Sequence, residues 1–210
     1  VRAIIKVLEE YQPTFQKVYD TAYRKEVLHE KVDNADKLVS IFEQHSEIIA
    51  KGGREVLFGR KVALSSGASN LILDGQVLEG NPPDSSLFAQ SLERIKQHYG
   101  LTPRDAAFDG GYASKANLKE AQRAGIVNMV FSKVKGSMQN LVSSKHMATR
   151  LKKWRNGIEA NISNWKRGFG LRVCTWKGEA HFRARVQWSI LGYNIRVMTR
   201  LVAARMPLSG

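Results

Sequence analysis

The stretch DSSLFAQSLERIKQHYGLTPRDAAFDGGYASKANLKEAQRAGIVNMVFS, residues 84–132, decides the fold because helical and extended patterns alternate along it. Asp84 is placed to cap a helix with helically spaced apolar residues, and Gly100 is placed to end it. A short strand, DAAFDGG, then precedes a helix over Lys115 to Arg123 and an apolar strand, IVNMVFS. Strands that alternate with helices predict an α/β layer structure.

Patterns on the N-terminal side of this stretch extend the prediction. Residues 1 to about 31 have helical spacing that Pro13 interrupts, which predicts one or two short helices. Apolar residues alternate from Val56 to Leu64 as in a strand, and the loop SSGASN leads to a second extended run, LILDGQVLEG, so we expect a β-hairpin. We therefore predict a helical N-terminal segment over residues 1–50 and a second domain over residues 51–210.

Charge is distributed very unevenly along the 210 residues, whose formal net charge is +14. Residues 1–132 contain 17 basic and 17 acidic residues. Residues 133–210 contain 16 basic residues against only Glu159 and Glu179, and therefore hold the whole excess. Such a segment favours a polyanionic partner, nucleic acid first and an anionic membrane surface second. A basic surface that only confers solubility is the plainer alternative.

Several classes of protein are excluded by the same composition. The longest stretch without a charged side chain, Val62 to Leu73, is far shorter than the ~20 apolar residues of a transmembrane helix. Cys174 is the only cysteine, so neither an internal disulfide nor a cysteine-based zinc site is expected. The sequence contains no Gly-rich phosphate loop, so no nucleotide cofactor is expected either. We expect a cytoplasmic protein.

The last part of the chain is predicted to form two helices, about His146 to Phe169 and Glu179 to Ala204. At ~100° per residue, the first has a seven-residue apolar stripe, formed by Met147, Leu151, Trp154, Ile158, Ile162, Trp165 and Phe169. Glu159 lies at the edge of this stripe within an arc of ~60° that it shares with Lys152, Arg155 and Lys166. Such a group can bind a metal ion through the acid and phosphates through the bases. A simple ion pair between Arg155 and Glu159 on a solvated face is the alternative.

Asp109 is a second candidate acid, at the end of a predicted strand. Its carboxylate would project from the edge where open α/β sheets commonly have their sites. The alternative is structural, because Asp-Gly is also common in turns. With Glu159, however, Asp109 would supply an acid from a separate element, as phosphodiester chemistry with two divalent ions requires.

The tract RNGIEANISNWK has the pattern R-x3-E-x6-K at Arg155, Glu159 and Lys166. It occurs with the blocks KVALSSGASNLILDGQVLEGNPPDSSLF, DAAFDGGYAS and GFGLRVCTWKG. In these blocks and their order, the chain resembles bacterial insertion-sequence transposases of the DDE type, and the blocks look like those of the ISNCY group. The similarity extends from about Lys37 to the C-terminus.

The resemblance implies a ribonuclease-H-like mixed sheet flanked by helices. In that family three acids bind Mg²⁺ (or Mn²⁺) for DNA cleavage and strand transfer at transposon ends. Asp109 would be the second acid and Glu159 the third, both catalytic and both metal ligands. Double-stranded DNA is the implied partner, with a homodimer on DNA and a nucleoid location in bacteria. The residues expected to bind DNA are Arg155, Lys166, Lys152, Lys153 and Arg167.

Two positions depart from the family pattern. The family's tyrosine three residues before the arginine is Lys152 in this sequence, which keeps a polar group but not a stacking ring. More importantly, the family's first aspartate ends an early strand, and no strand ending in an acid is predicted before Gly52. We therefore expect the chain to be the C-terminal portion of a catalytic domain, without its first strand or strands, that binds DNA but does not cleave it alone.

Two other functions remain compatible with the sequence. One is a non-enzymatic nucleic-acid-binding module that uses the basic C-terminal helices. The other is a membrane-surface protein that uses its tryptophans with the bases. The second is weaker because Trp154 and Trp165 share the apolar stripe with Ile158, a position more typical of a core.

Overall fold

The computed structural model describes residues 1–51, 55–132 and 141–205. Its helices are α1 (Arg2–Ala22), α2 (Phe88–Tyr99), α3 (Lys115–Arg123), α4 (Lys145–Gly168) and α5 (Glu179–Ala203). Its strands are β1 (Glu47–Lys51), β2 (Glu55–Gly59), β3 (Val62–Ser66), β4 (Ile72–Val77), β5 (Asp105–Phe108) and β6 (Asn128–Phe131). The mixed α/β class predicted from the sequence is confirmed.

The described strands form three two-stranded sheets, which pair β1 with β2, β3 with β4, and β5 with β6. The β1–β2 pair is antiparallel, with Glu47 opposite Gly59. The β3–β4 pair is the predicted hairpin, closed at its turn by a hydrogen bond from the Gly67 amide to the Leu71 carbonyl of 2.9 Å. The β5–β6 pair is parallel, with Phe108 opposite Phe131. A ribonuclease-H-like sheet that joins these strands stays a prediction.

Three details of the predicted elements were wrong. The alternating run from Val56 to Leu64 is two strands, β2 and β3, because Gly59 has a φ of +146°, which breaks the extended chain. Pro13 does not interrupt α1; it is exposed, so water can satisfy the carbonyl left without its helical donor. Asp84 does not cap α2, because α2 begins at Phe88 after a 3₁₀ turn over Asp84–Leu87.

Two compact units divide the chain. The first comprises Val1–Val62, Val77–Asn81 and Thr175–Arg183, and the second comprises Ala63–Gln76, Pro82–Cys174 and Ala184–Gly210. The predicted division at residue 50 stays a prediction.

Polar contacts stabilise the first unit. The Arg60 guanidinium lies 3.2 Å from the Glu47 carboxylate, and the Glu43 carboxylate accepts a hydrogen bond of 2.9 Å from the Gly178 amide. Helix α1 belongs to this unit, but its apolar side chains are largely exposed, at 65% for Ile4, 59% for Leu8 and 51% for Phe15.

The core of the second unit lies beneath the β5–β6 pair. Apolar side chains from α2, α3 and these two strands form one buried cluster: Phe88, Ala106, Ala121, Ile126, Met129 and Phe131. Because the two strands are parallel, their carboxyl ends lie at one edge, where Asp109 and Ser132 follow them. The core thereby fixes the position of the backbone at Asp109, the candidate acid.

No helix in the described ranges, residues 1–51, 55–132 and 141–205, is both long enough and apolar enough to cross a bilayer.

Candidate active site

Asp109 follows β5 directly and precedes a 3₁₀ turn over Gly110–Tyr112. Its Oδ1 atom accepts a hydrogen bond of 2.6 Å from the Gly110 amide and one of 3.3 Å from the Ser132 hydroxyl. Ser132 follows the neighbouring strand and is 6% exposed. Two groups of the sheet edge therefore hold this carboxylate in place, at the strand end where the sequence predicted it.

Helix α4 brings Arg155 and Glu159 to the same edge. The Arg155 side chain is only 8% exposed; its Nη2 lies 2.6 Å from Asp109 Oδ2 and its Nη1 lies 3.5 Å from Glu159 Oε1. The side chains of Asp109 and Glu159 are 46% and 49% exposed. One guanidinium thus bridges two acids that come from separate elements. The alternative Arg155–Glu159 ion pair is present, and both acids contact the same guanidinium. That the two acids share a metal ion stays a prediction.

The position of α4 is itself fixed by polar contacts to the strands. The buried Asn128 side chain donates a hydrogen bond of 2.6 Å to Asp105 and accepts one of 2.8 Å from the Ser143 amide. At the start of α4, the Ser144 hydroxyl accepts a hydrogen bond of 3.1 Å from the Met147 amide. Arg150 also lies 3.2 Å from Asp105. Sequence reasoning did not identify Asn128 or Ser132, because an Asn or Ser within an apolar run gives no local signal of a distant partner.

Electrostatics at Asp109 favour its ionised form. Burial alone would raise the pKa of the Asp109 carboxyl. The Arg155 charge, the Gly110 amide and the Ser132 hydroxyl outweigh burial, and the pKa lies below its usual range. The acid is therefore ionised throughout the neutral pH range.

Asp84 also borders this edge. A Cβ atom added to Gly111 would lie 2.5 Å from Asp84 Oδ2, so the carboxylate packs directly against a position that only glycine allows. Burial raises the pKa of the Tyr112 hydroxyl, and the charges of Asp84 and Asp109 raise it further, which places both acids near that ring. The sequence predicted Asp84 only as a helix cap and gave no signal of this contact.

The predicted DNA-binding residues differ in their exposure. Lys152, Lys153, Lys166 and Arg167 are exposed on α4, whereas Arg155 is buried. The apolar stripe beside them includes Leu151 and Trp165, which are 0% and 2% exposed. The helix therefore packs through its predicted face and presents most of its cations to solvent.

The described residues do not fit a complete site for two metal ions. Among them, no group of three or more acidic, histidine or cysteine side chains could hold a metal ion. Asp109 and Glu159 are two carboxylates, and Arg155 already compensates their charge. Two-ion phosphodiester chemistry requires further carboxylate ligands and an open coordination position.

A comparison with protein families identifies the family to which the chain belongs. A model of the transposase DDE domain matches residues 37–195. The chain belongs to this family. The match covers β1 to β6 and α2 to α4 of the described residues, including Asp109, Arg155 and Glu159. Members of the family act in DNA transposition and normally use divalent metal ions.

Two further comparisons, with curated proteins and with solved structures, gave no match.

Proposed function

We propose that the DDE domain uses Asp109 and Glu159 as catalytic carboxylates in the cleavage and strand transfer of DNA at the ends of an ISNCY-like insertion sequence. One observation carries the proposal: an acid at the end of β5 and an acid on α4, 50 residues apart in sequence, lie on the two sides of one guanidinium. Both remain about half exposed, so a DNA phosphate could approach them.

The cations of α4 supply the contacts to DNA in this proposal. Lys152, Lys153, Lys166 and Arg167 are exposed along the helix that carries Glu159, and Lys and Arg bind the phosphate backbone without regard to sequence. Arg155 has a different role, because it is buried against the two acids. A phosphate at the edge of the site would compete with Asp109 and Glu159 for the Arg155 guanidinium.

Whether the isolated chain can cleave DNA depends on how many metal ligands Asp109 and Glu159 provide. Asp109 and Glu159 would be two of the ligands of the Mg²⁺ or Mn²⁺ that the family uses, and the ion would supply charge stabilisation at the scissile phosphate. Two carboxylates are too few to hold two ions, so we expect the chain alone to bind DNA and not to cleave it. Asp109 is already oriented for this role by Gly110 and Ser132.

The experiment combines DNA binding with a nicking assay on duplex DNA that carries the matched transposon end. Binding is measured by fluorescence anisotropy with and without Mn²⁺ for the wild type and for Glu159→Gln. Glu120→Gln is the matched control, because Glu120 lies at a similar exposure of 46% beside Arg123 in α3. We expect Mn²⁺ to change DNA binding by the wild type and by the control but not by Glu159→Gln.

Other results would contradict separate parts of the proposal. Robust metal-dependent nicking by the wild type would show that the chain is catalytically complete. No effect of Mn²⁺ on DNA binding by any of the three proteins would instead support the non-enzymatic nucleic-acid-binding module.

A further inference from the structure

We propose that a cleft on the second unit, formed by the β3–β4 turn, α4 and α5, binds a phosphate group of a second stretch of DNA. The cleft has a volume of about 200 Å³, and its polar lining residues are Ser69, Asn70, Asn161, Asn164, Tyr193, Arg196 and Arg200. We call it the α4–α5 cleft. The choice of DNA as ligand rests on the proposed function, whereas the anion site itself rests on the geometry that follows.

The charge of the cleft indicates an anionic ligand. Arg196 and Arg200 are one helical turn apart on α5, and within the described ranges neither forms an ion pair. Like charges at this spacing destabilise a helix. Arg183, in contrast, lies on the same helix within 2.9 Å of Glu79 and 2.8 Å of Glu179. An anion between Arg196 and Arg200 would remove a repulsion that no acidic side chain compensates.

Hydrogen bonds hold the walls of the cleft together. The Asn161 side chain donates a hydrogen bond of 2.9 Å to the Asn70 side chain, which joins α4 to the β3–β4 turn. Asn70 has a φ of +65°, a left-handed conformation that asparagine tolerates better than most residues. The Asn194 side chain bonds both the amide and the carbonyl of Ile72, at 2.9 and 2.8 Å, which joins α5 to the start of β4. The backbone elements that form the cleft are therefore held together before any ligand binds.

Tyr193 lines the cleft and is 5% exposed. Burial raises the pKa of its hydroxyl, while the charges of Arg196 and Arg200 act in the opposite direction. The positive charges of Arg196 and Arg200 are therefore close enough to Tyr193 to affect its hydroxyl. Guanidinium, amide and hydroxyl groups are all donors to phosphate oxygens in protein–DNA complexes.

The cleft lies on the far side of α4 from the candidate acids. At ~100° per residue, Asn161 and Asn164 are about 160° and 140° from Glu159 around the helix axis. The body of α4 therefore separates a phosphate in the cleft from one beside Asp109 and Glu159. For this reason we assign the cleft to a second stretch of DNA and not to the strand at the acids.

The test measures the affinity for a duplex oligonucleotide by anisotropy as a function of salt concentration. Arg196→Gln with Arg200→Gln is compared with the wild type and with a control that also removes two positive charges from the second unit, Arg104→Gln with Arg123→Gln. We expect the cleft variant to lower the slope of log K against log salt by about 1 and to weaken binding roughly tenfold at low salt, because one phosphate contact is lost. The control should change both quantities less.

Further variants keep the test independent of folding and of the proposed function. Arg196→Lys with Arg200→Lys should retain the slope, and Asn164→Asp should weaken binding by placing a negative charge at the rim. The slope lost through the Arg196→Gln and Arg200→Gln changes should be the same in the wild type and in a background with Asp109→Asn and Glu159→Gln, even if the acids have no catalytic role. Circular dichroism melting curves confirm that each variant is folded.

Three results would overturn the inference. The first is a cleft variant with the wild-type slope, and the second is an equal loss in the cleft variant and the control. The third is binding of inorganic phosphate or pyrophosphate that depends on Arg196 and Arg200 while the slope for DNA stays unchanged, which would make the cleft a site for small anions only.

Discussion

Arg155 compensates the negative charge of both candidate acids from a buried position. An arginine between two carboxylates neutralises the negative charge to which a divalent cation would otherwise bind. In the protein without DNA, this residue therefore opposes metal binding by the acids that belong to the proposed catalytic site. It also links the two proposed activities, because a DNA phosphate attracts the guanidinium away from the carboxylates.

Replacement of Arg155 by Gln should therefore increase the affinity of the DNA-free chain for Mn²⁺. Removal of the guanidinium leaves Asp109 and Glu159 without their cation, and we expect roughly a tenfold gain, equivalent to about 1.4 kcal/mol. Electron paramagnetic resonance of free Mn²⁺ measures this directly. Arg150→Gln is the control, because Arg150 lies on the same helix as Arg155 but pairs with Asp105 of β5. Equal Mn²⁺ affinity in the wild type and in Arg155→Gln would contradict the assigned role.

The lowered pKa of Asp109 predicts the direction of a pH effect on stability. A carboxyl whose pKa is lower in the folded state stabilises the protein above its unfolded pKa of about 3.9. This contribution is lost as the pH falls through the lower folded value. Urea unfolding between pH 7 and acid pH should therefore show a steeper loss for the wild type than for Asp109→Asn. Parallel curves for the two proteins would show that Asp109 does not contribute.

At the scale of elements, close packing of β4 against α5 determines where α5 lies in the second unit. A Cβ atom on Gly75 would collide with the Cδ1 atom of Ile190 and would lie 3.3 Å from Leu64 Cδ2. Gly157, in contrast, lies within α4, and a Cβ atom there would contact nothing within 4 Å. Replacement of these two glycines by alanine should therefore have opposite effects on the free energy of unfolding.

We expect Gly75→Ala to destabilise the protein by about 1–3 kcal/mol through overpacking. Gly157→Ala should stabilise it by roughly 0.5–1 kcal/mol, because alanine loses less backbone entropy in a helix. The free energy of unfolding in urea measures both. Stabilisation by Gly75→Ala would mean that β4 and α5 are not in the close contact described.

Elements with a local signal were predictable from the sequence, and contacts between elements were not. The predicted bounds of α4, about 146–169, differ by one residue at each end from Lys145–Gly168, because the apolar stripe and the flanking turns are local features. The hydrogen bond from Asn128 to the Ser143 amide and the ion pair between Arg155 and Asp109 depend on how distant elements pack. The residues alone indicated Asp109 and Glu159 as two candidate acids from separate elements, and the family resemblance assigned them as the second and third acids of one site.

At the scale of the whole molecule, the uneven distribution of charge predicts where DNA binds. All of the net charge of +14 comes from residues 133–210, so cations there should determine the dependence of binding on salt.

Replacement of Lys152, Lys153 and Lys166 by Gln should reduce the salt slope by about 1–3, according to how many of them contact phosphates. The matched control replaces Lys6, Lys17 and Lys31, three exposed cations of the N-terminal segment, with Gln. Anisotropy titrations at several salt concentrations measure both variants. A larger effect of the control on the salt slope would mean that DNA binds the N-terminal segment, which would contradict the prediction.

Helix α4 is one continuous rod of 24 residues, about 36 Å long at 1.5 Å per residue, with Glu159 and Asn164 on nearly opposite flanks. A small rotation of such a rod about its axis displaces these two side chains in opposite directions. A molecule bound to the Asn164 side of α4 would therefore restrict the rotation of the helix. Binding there would limit the positions that the Glu159 carboxylate can adopt, without direct contact with it.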